Sequence, residues 1–163
     1  LCSHEHFDHN FRKGVVEREH GPSPVRVEVI STFHDDKKGA LRGSNKIHIL
    51  DDGQTRIAHM GDLGCQPEKE QLERLKGLDV ALIPVGGYYT VDAVEAKRLI
   101  DQIRPRITIP MHYRGQGFGF DVLQTVEEYT RLCDNVTIYE GNTLEVNEDT
   151  QEQTAVLAMR RKF

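Results

Sequence analysis

The sequence has few cysteines, no long apolar run and no excess of positive charge. Its three cysteines, Cys2, Cys65 and Cys133, are an odd number without paired spacing, which disfavours a secreted disulfide framework and favours a reducing compartment. No apolar stretch approaches the roughly 20 residues of a membrane-spanning helix, and no signal-peptide pattern is present. We therefore expect a cytoplasmic protein without a membrane partner.

The balance of charge is slightly acidic, with 21 Lys and Arg against 26 Asp and Glu and a net charge of −5. Nucleic-acid binding normally requires a basic excess or a basic stripe, so nucleic acid is excluded as the main partner. A length of 163 residues, with 37% hydrophobic side chains, is enough for one core. We expect residues 1–163 to form a single domain.

Hydrophobic periodicity predicts strands and helices that alternate through the middle of the chain. Strands are predicted at 25–30, at 46–50 and 56–60 around the turn Asp51-Asp52-Gly53, and at 80–85, 107–109, 136–139 and 154–159. Helices are predicted at 68–76, between a cap at Thr90 and Pro105, and at 121–133. The strand, helix, strand order predicts parallel neighbours, and the fold class is α/β, with helices packed on the outside of a sheet.

A dense set of metal-type ligands stands at the beginning of the chain, in Ser3-His4-Glu5-His6-Phe7-Asp8-His9. In an extended segment His4 and His6 point to the same side and can bind one metal ion, while a turn through Asp8 and His9 directs the next pair to a second ion. Imidazole nitrogen and carboxylate oxygen suit zinc, manganese or iron. The spacing predicts a metal site.

This motif resembles the signature loop of the metallo-β-lactamase superfamily, and later segments continue the resemblance in order. The segment 29–35 contains His34, the segment 59–64 contains Asp62, and the segment 109–113 contains His112. The resemblance implies a metallo-β-lactamase-like αββα sandwich with two divalent ions, zinc first and manganese or iron as alternatives. It also implies three ligand groups: His4, His6 and His34 on one metal; Asp8, His9 and His112 on the other; and Asp62 between the metals.

The chain begins at Leu1, with the histidine motif by the fourth residue. Members of this superfamily normally have two or three strands and an aspartate before that motif. We therefore expect the fold to be incomplete at its N-terminus.

Segments 84–90 and 109–113 are also similar to a group of small cytoplasmic metal-dependent hydrolases that includes ascorbate-6-phosphate lactonase. This resemblance implies a homo-oligomer that hydrolyses a small ester, lactone or phosphorylated substrate through a metal-bridging hydroxide. Asp8 and His112 are the expected catalytic residues, with either a metal-bound water or Asp8 as the proton donor to the leaving group. The alternatives are a phosphodiesterase or phospholipase with the same centre, and a metal-binding remnant without catalysis.

Three residues are candidates for contact with a small, anionic substrate. Tyr88 and Tyr89 follow two glycines close to the expected rim of the site. Arg114 precedes a glycine-rich stretch and offers a cation to an anion. Tyrosines at the start of a loop also often serve packing alone, and the glycine-rich stretch could be a plain loop.

Overall fold

A computed structural model describes residues 1–6 and 21–158 of the chain. Seven strands in this part form one sheet: β1 (Arg26–Phe33), β2 (Ser44–Asp51), β3 (Arg56–His59), β4 (Val80–Pro84), β5 (Ile107–Met111), β6 (Val136–Ile138) and β7 (Gln153–Val156). The helices of the same part are α1 (Lys69–Arg74), α2 (Ala93–Ile103) and α3 (Val126–Thr130). The order of strands across the sheet is β1-β2-β3-β4-β5-β7-β6.

The sheet is antiparallel at one side and parallel through its centre. β2 pairs antiparallel with both β1 and β3, and the neighbours β3, β4 and β5 are parallel. The carboxylate of Asp52 accepts hydrogen bonds from the amides of Gln54 and Thr55 in the predicted turn between β2 and β3. The α/β class, the hairpin and the parallel strands on either side of α2 are therefore confirmed.

The main core lies between one face of the sheet and the helices. Buried side chains from alternating positions, such as Ile47 and Ile49 in β2, pack in one cluster with Leu99 of α2 and Tyr129 of α3. α2 presents its apolar residues to the sheet at helical spacing, with Ala93, Ala96, Leu99 and Ile103 all buried. Burial of this face stabilises the sheet that carries the candidate site.

Two predicted helices have wrong boundaries: α2 at its start and α3 at both ends. The cap of α2 is Asp92 rather than Thr90, because its carboxylate accepts a hydrogen bond from the amide of Glu95 while the Glu95 side chain accepts one from the Asp92 amide. α3 covers Val126–Thr130 rather than 121–133. The amide of Gln124 donates to the carbonyl of Gly86, and that tertiary contact holds the preceding residues outside the helix.

The topology brings three strand ends to one edge of the sheet. β1 runs parallel to β3, β4 and β5, because β2 is antiparallel to both β1 and β3. His34 follows β1, Asp62 lies just past β3, and His112 follows β5. Functional groups in α/β proteins are usually placed at this carboxyl edge. No helix in the described ranges is long and apolar enough to cross a membrane.

Candidate metal centre

Three imidazole rings meet at the carboxyl edge of the sheet. The ring centroids of His4 and His6 are 4.7 Å apart, and those of His4 and His34 are 4.9 Å apart. The potential ligand atoms of these three histidines all lie within 4.8 Å of one another. His4 and His34 are buried and His6 is exposed, so the group is open to solvent on one side. A metal ion approaching from that side meets three nitrogen donors.

A single carboxylate oxygen faces three histidines in the same place. The Oδ2 atom of Asp62 lies 3.6 Å from Nε2 of His4, 3.3 Å from Nε2 of His34 and 3.4 Å from Nε2 of His112. Burial opposes ionisation of Asp62, but hydrogen bonds from His112 and His34 outweigh it and hold the pKa of the carboxyl well below its usual range. Asp62 is therefore ionised. Its carboxylate lies between His112 on one side and the group of His4, His6 and His34 on the other.

The backbone at His112 turns sharply to bring its ring to Asp62. His112 has φ of 54°, in the left-handed region that side chains with a Cβ rarely adopt. The turn follows β5 directly and brings the His112 carbonyl against Gly86, where an added Cβ would collide with that oxygen. A glycine at position 86 is thus required for the close approach of the two loops. Strained backbone of this kind is concentrated at functional sites.

The orientation of His34 is fixed by the loop that follows β4. Nδ1 of His34 lies 3.0 Å from the backbone carbonyl oxygen of Tyr89. Because a carbonyl can only accept, Nδ1 of His34 carries a proton in this contact, and Nε2 is the nitrogen that faces Asp62 and that would bind a metal ion once its own proton is displaced. Histidines that bind metals usually have their second nitrogen held in this way. The Tyr89 backbone is therefore a positioning group for His34.

Asn45 holds the backbone of the Asp62 loop from inside the core. Its side chain, which is fully buried, accepts a hydrogen bond from the Asp62 amide at 3.0 Å and donates to the Met60 carbonyl at 2.9 Å and to the Thr32 hydroxyl at 2.9 Å. One amide thus links β1 and β2 to the loop after β3. Sequence reasoning missed Asn45, although a polar residue at a core-facing position of a strand was a usable signal.

The predicted site residues separate into three sets. The structure brings together His4, His6, His34, Asp62 and His112. Asp8 and His9 lie outside the described residues, so their predicted roles as ligands, and that of Asp8 as a proton donor, stay predictions. The third set comprises the candidate substrate contacts. Of these, Tyr89 contacts Nδ1 of His34 through its backbone carbonyl, and Tyr88 precedes it in the same loop.

Arg114 has a contact that the sequence does not reveal. Its Nε donates to the carbonyl oxygen of Leu123 at 2.6 Å, and its amide donates to the carbonyl of Gln124. These bonds close the base of the glycine-rich stretch that follows. One nitrogen of the Arg114 guanidinium is therefore used to stabilise the loop. The role of Arg114 in substrate binding stays a prediction.

The donor set fits divalent transition metals. Imidazole nitrogens and a buried carboxylate are the ligands that zinc, manganese and iron accept in proteins. His4, His6 and His34 would hold one ion, His112 would contribute to a second, and the Oδ2 atom of Asp62 faces both groups. The chemistry of the site is thus that of a metal centre built on five described side chains.

Comparison with known proteins places these observations in a family. The sequence profile of a family described as the beta-lactamase superfamily domain matches residues 1–112. A metal-dependent hydrolase of Staphylothermus marinus is 38% identical over 105 residues, which cover 64% of this chain and 43% of that protein. A metal-dependent hydrolase of Thermoplasma acidophilum is 32% identical over 128 residues, which cover 77% of this chain and 53% of that protein. The chain spans about half the length of these curated relatives.

A solved structure shows the same fold. A Thermotoga maritima protein, described as a candidate zinc-dependent hydrolase of the metallo-β-lactamase superfamily, matches with a TM-score of 0.74 and 31% identity. The match covers 95% of this chain and 78% of that one. The family match includes all five clustered residues, which lie between positions 4 and 112. The chain therefore belongs to the metallo-β-lactamase superfamily.

Proposed function

We propose that the protein is a metal-dependent hydrolase that cleaves a small ester or lactone with two divalent metal ions, zinc first and manganese or iron as alternatives. The observation that carries the proposal is the single oxygen of Asp62 that faces imidazoles from three separate chain segments. Relatives that are named metal-dependent hydrolases support it. A carboxylate so placed neutralises positive charge on both sides of it.

Different residues of the chain are proposed to bind the metal ions, to orient a ligand and to transfer a proton. His4, His6 and His34 would hold one ion, and His112, with the predicted ligands Asp8 and His9, would hold the other. The Tyr89 carbonyl keeps the Nδ1 proton of His34 in place, so that Nε2 stays available as a ligand. When bound, the metal ions polarise the substrate oxygen and make water acidic enough to attack at neutral pH. Asp8 would take a proton from the attacking water and pass it to the leaving alkoxide, so that ester and water give carboxylic acid and alcohol, and the acid then releases its proton to solvent at neutral pH.

Metal content and turnover test the proposal together. We expect about two ions per chain by elemental mass spectrometry. We also expect hydrolysis of a lactone or carboxylic ester that stops on chelation and returns when zinc or manganese is added. Asp62→Asn should lower kcat/KM by about a hundredfold or more and reduce metal content, because a neutral amide replaces the shared carboxylate.

Asp101→Asn is the matched control, since Asp101 is an exposed carboxylate of α2 that pairs with Lys97. It should retain both metal and activity. Hydrolysis that survives complete chelation would contradict the proposal. Faster turnover of bis-p-nitrophenyl phosphate than of any ester or lactone would replace it with the phosphodiesterase alternative.

A further inference from the structure

Exposed aromatic rings lie beside the candidate metal centre. The Tyr88 and Tyr89 rings pack edge to face with centroids 4.7 Å apart, and the Phe120 ring lies 6.2 Å from that of Tyr89. Tyr88 is 64% exposed and Phe120 is 66% exposed. We refer to Tyr88, Tyr89 and Phe120 as the aromatic rim. Exposed apolar side chains in contact with one another indicate a binding surface for a ligand or a partner protein.

The aromatic rim is connected to the metal centre through Tyr89. The carbonyl oxygen of Tyr89 contacts Nδ1 of His34, and its ring lies between those of Tyr88 and Phe120. The carbonyl contact places the backbone of Tyr89 directly beside His34, at the border of the histidine group. The rim comes from two loops, one after β4 and one after β5, so its shape depends on the same strand ends as the ligands.

A cation lies over the central ring of the aromatic rim. The guanidinium carbon of Arg42 is 5.5 Å from the centre of the Tyr89 ring, within the range of a cation–π contact. No hydrogen bond or ion pair joins this guanidinium to any other residue in the ranges 1–6 and 21–158. Within the described residues, the donors of the Arg42 side chain are thus available for an incoming anion.

The backbone that carries Arg42 is held in place by a buried carboxylate. Asp35 accepts hydrogen bonds from four amides of its own loop, including that of Arg42 at 2.7 Å. The amide of His34 donates to the carbonyl of Gly43, which closes the same loop. Arg42 is therefore fixed at its backbone relative to His34, and the loop needs no rearrangement when the side chain binds a ligand.

We propose that Arg42 binds the anionic group of the substrate, a carboxylate or a phosphate, while the aromatic rim accommodates an apolar part of the same molecule. This inference rests on the proposed function and names its substrate class as an ester or lactone with an oxyanion and an apolar portion. A guanidinium fork matches two oxygens of a carboxylate or phosphate. The rings supply apolar surface next to it.

Binding of three probes to the metal-loaded protein tests the inference. Phenylphosphonate and benzoate each combine a ring with an oxyanion, and benzyl alcohol has the ring alone. Isothermal titration should show that Arg42→Ala binds both anions about tenfold more weakly than the original protein and benzyl alcohol equally well. Arg42→Lys should be intermediate, because it keeps the charge and loses the fork. The anion with the larger loss identifies the class of oxyanion.

Arg98→Ala is the matched control, since it removes an exposed arginine of α2 and changes the net charge equally. It should bind all three probes as the original protein does. Equal affinity of Arg42→Ala for the anions, an equal loss for benzyl alcohol, or no anion binding by the original protein would overturn the inference. An absence of ester and lactone turnover would instead contradict the proposed function, because the binding comparison does not depend on catalysis.

Discussion

Replacing Asn45 by alanine removes the amide that joins the Asp62 loop to the sheet. Three hydrogen bonds are lost: from the Asp62 amide, to the Met60 carbonyl and to the Thr32 hydroxyl. All these groups are in the interior, where Asn45 is fully buried and Thr32 is 3% exposed. Water therefore cannot easily replace the missing partner.

The expected loss of stability follows from the number of bonds. A net contribution of about 1 kcal/mol for each hydrogen bond gives about 3 kcal/mol for Asn45→Ala. For a chain of this size that corresponds to a fall in Tm of about 6–12 °C. Because Asp62 also loses the anchor of its amide, metal affinity should fall about tenfold.

Thermal unfolding followed by circular dichroism measures the first effect, and competition with a chromophoric chelator measures the second. Thr32→Val is the matched control, because it removes the Thr32 hydroxyl and leaves the contacts of Asn45 with the Asp62 loop. Because the hydroxyl accepts from the Asn45 side chain and donates to the Asn45 carbonyl, two bonds are lost, so the change should cost about 2 kcal/mol and leave metal affinity unchanged. If Asn45→Ala loses no more stability than Thr32→Val and binds metal equally well, the reasoning that Asn45 positions Asp62 is refuted.

Two further predictions concern the loops around the centre. Gly86→Ala should destabilise the protein by about 1–3 kcal/mol and reduce metal content, because its Cβ would collide with the carbonyl of His112. Gly21→Ala, whose Cβ meets nothing within 4 Å, is the control in the same unfolding assay, and an equal effect of both would contradict the account. For Asp35, burial raises the pKa, but hydrogen bonds from the amides of Arg42 and three neighbouring residues outweigh it and lower the pKa below its usual value. The ionised form therefore stabilises the loop at neutral pH, and this stabilisation is lost as the pH falls through the lowered pKa of Asp35. The difference in Tm between the original protein and Asp35→Ala should accordingly be largest near pH 7 and shrink towards pH 3. A difference that grows in acid would contradict the conclusion that the ionised form of Asp35 stabilises the loop.

His4 and His6 could be predicted from their spacing, whereas His34, Asp62 and His112 were predicted from the resemblance to the metallo-β-lactamase superfamily, with support from strand periodicity. His34 follows the alternating strand β1, His112 follows the apolar strand β5, and Asp62 lies close behind β3. Parallel strands bring such positions to one edge whatever the details of the loops. The order of the strands in the sheet is not needed for that conclusion. The same reasoning gave the hairpin between β2 and β3.

The residues that depend on tertiary contacts could not be predicted in this way. Arg42 reaches Tyr89 only because Asp35 folds its loop around four amides, and no periodicity encodes that arrangement. The beginning of α3 was wrong because the bond from the Gln124 amide to the carbonyl of Gly86 competes with helix formation. Local propensity is a weak guide wherever a distant backbone group offers a better partner.

The clustering of His4, His34 and His112 around one carboxylate has a consequence for the order of assembly. These histidines come from the first residues, from the end of β1 and from the end of β5, so the complete ligand set exists only when those strands are already side by side. Metal ions bound there would act as a cross-link across the sheet and would stabilise the folded state by mass action. The resistance of the chain to unfolding should therefore rise with the concentration of free metal, which makes the supply of metal a determinant of the protein's lifetime.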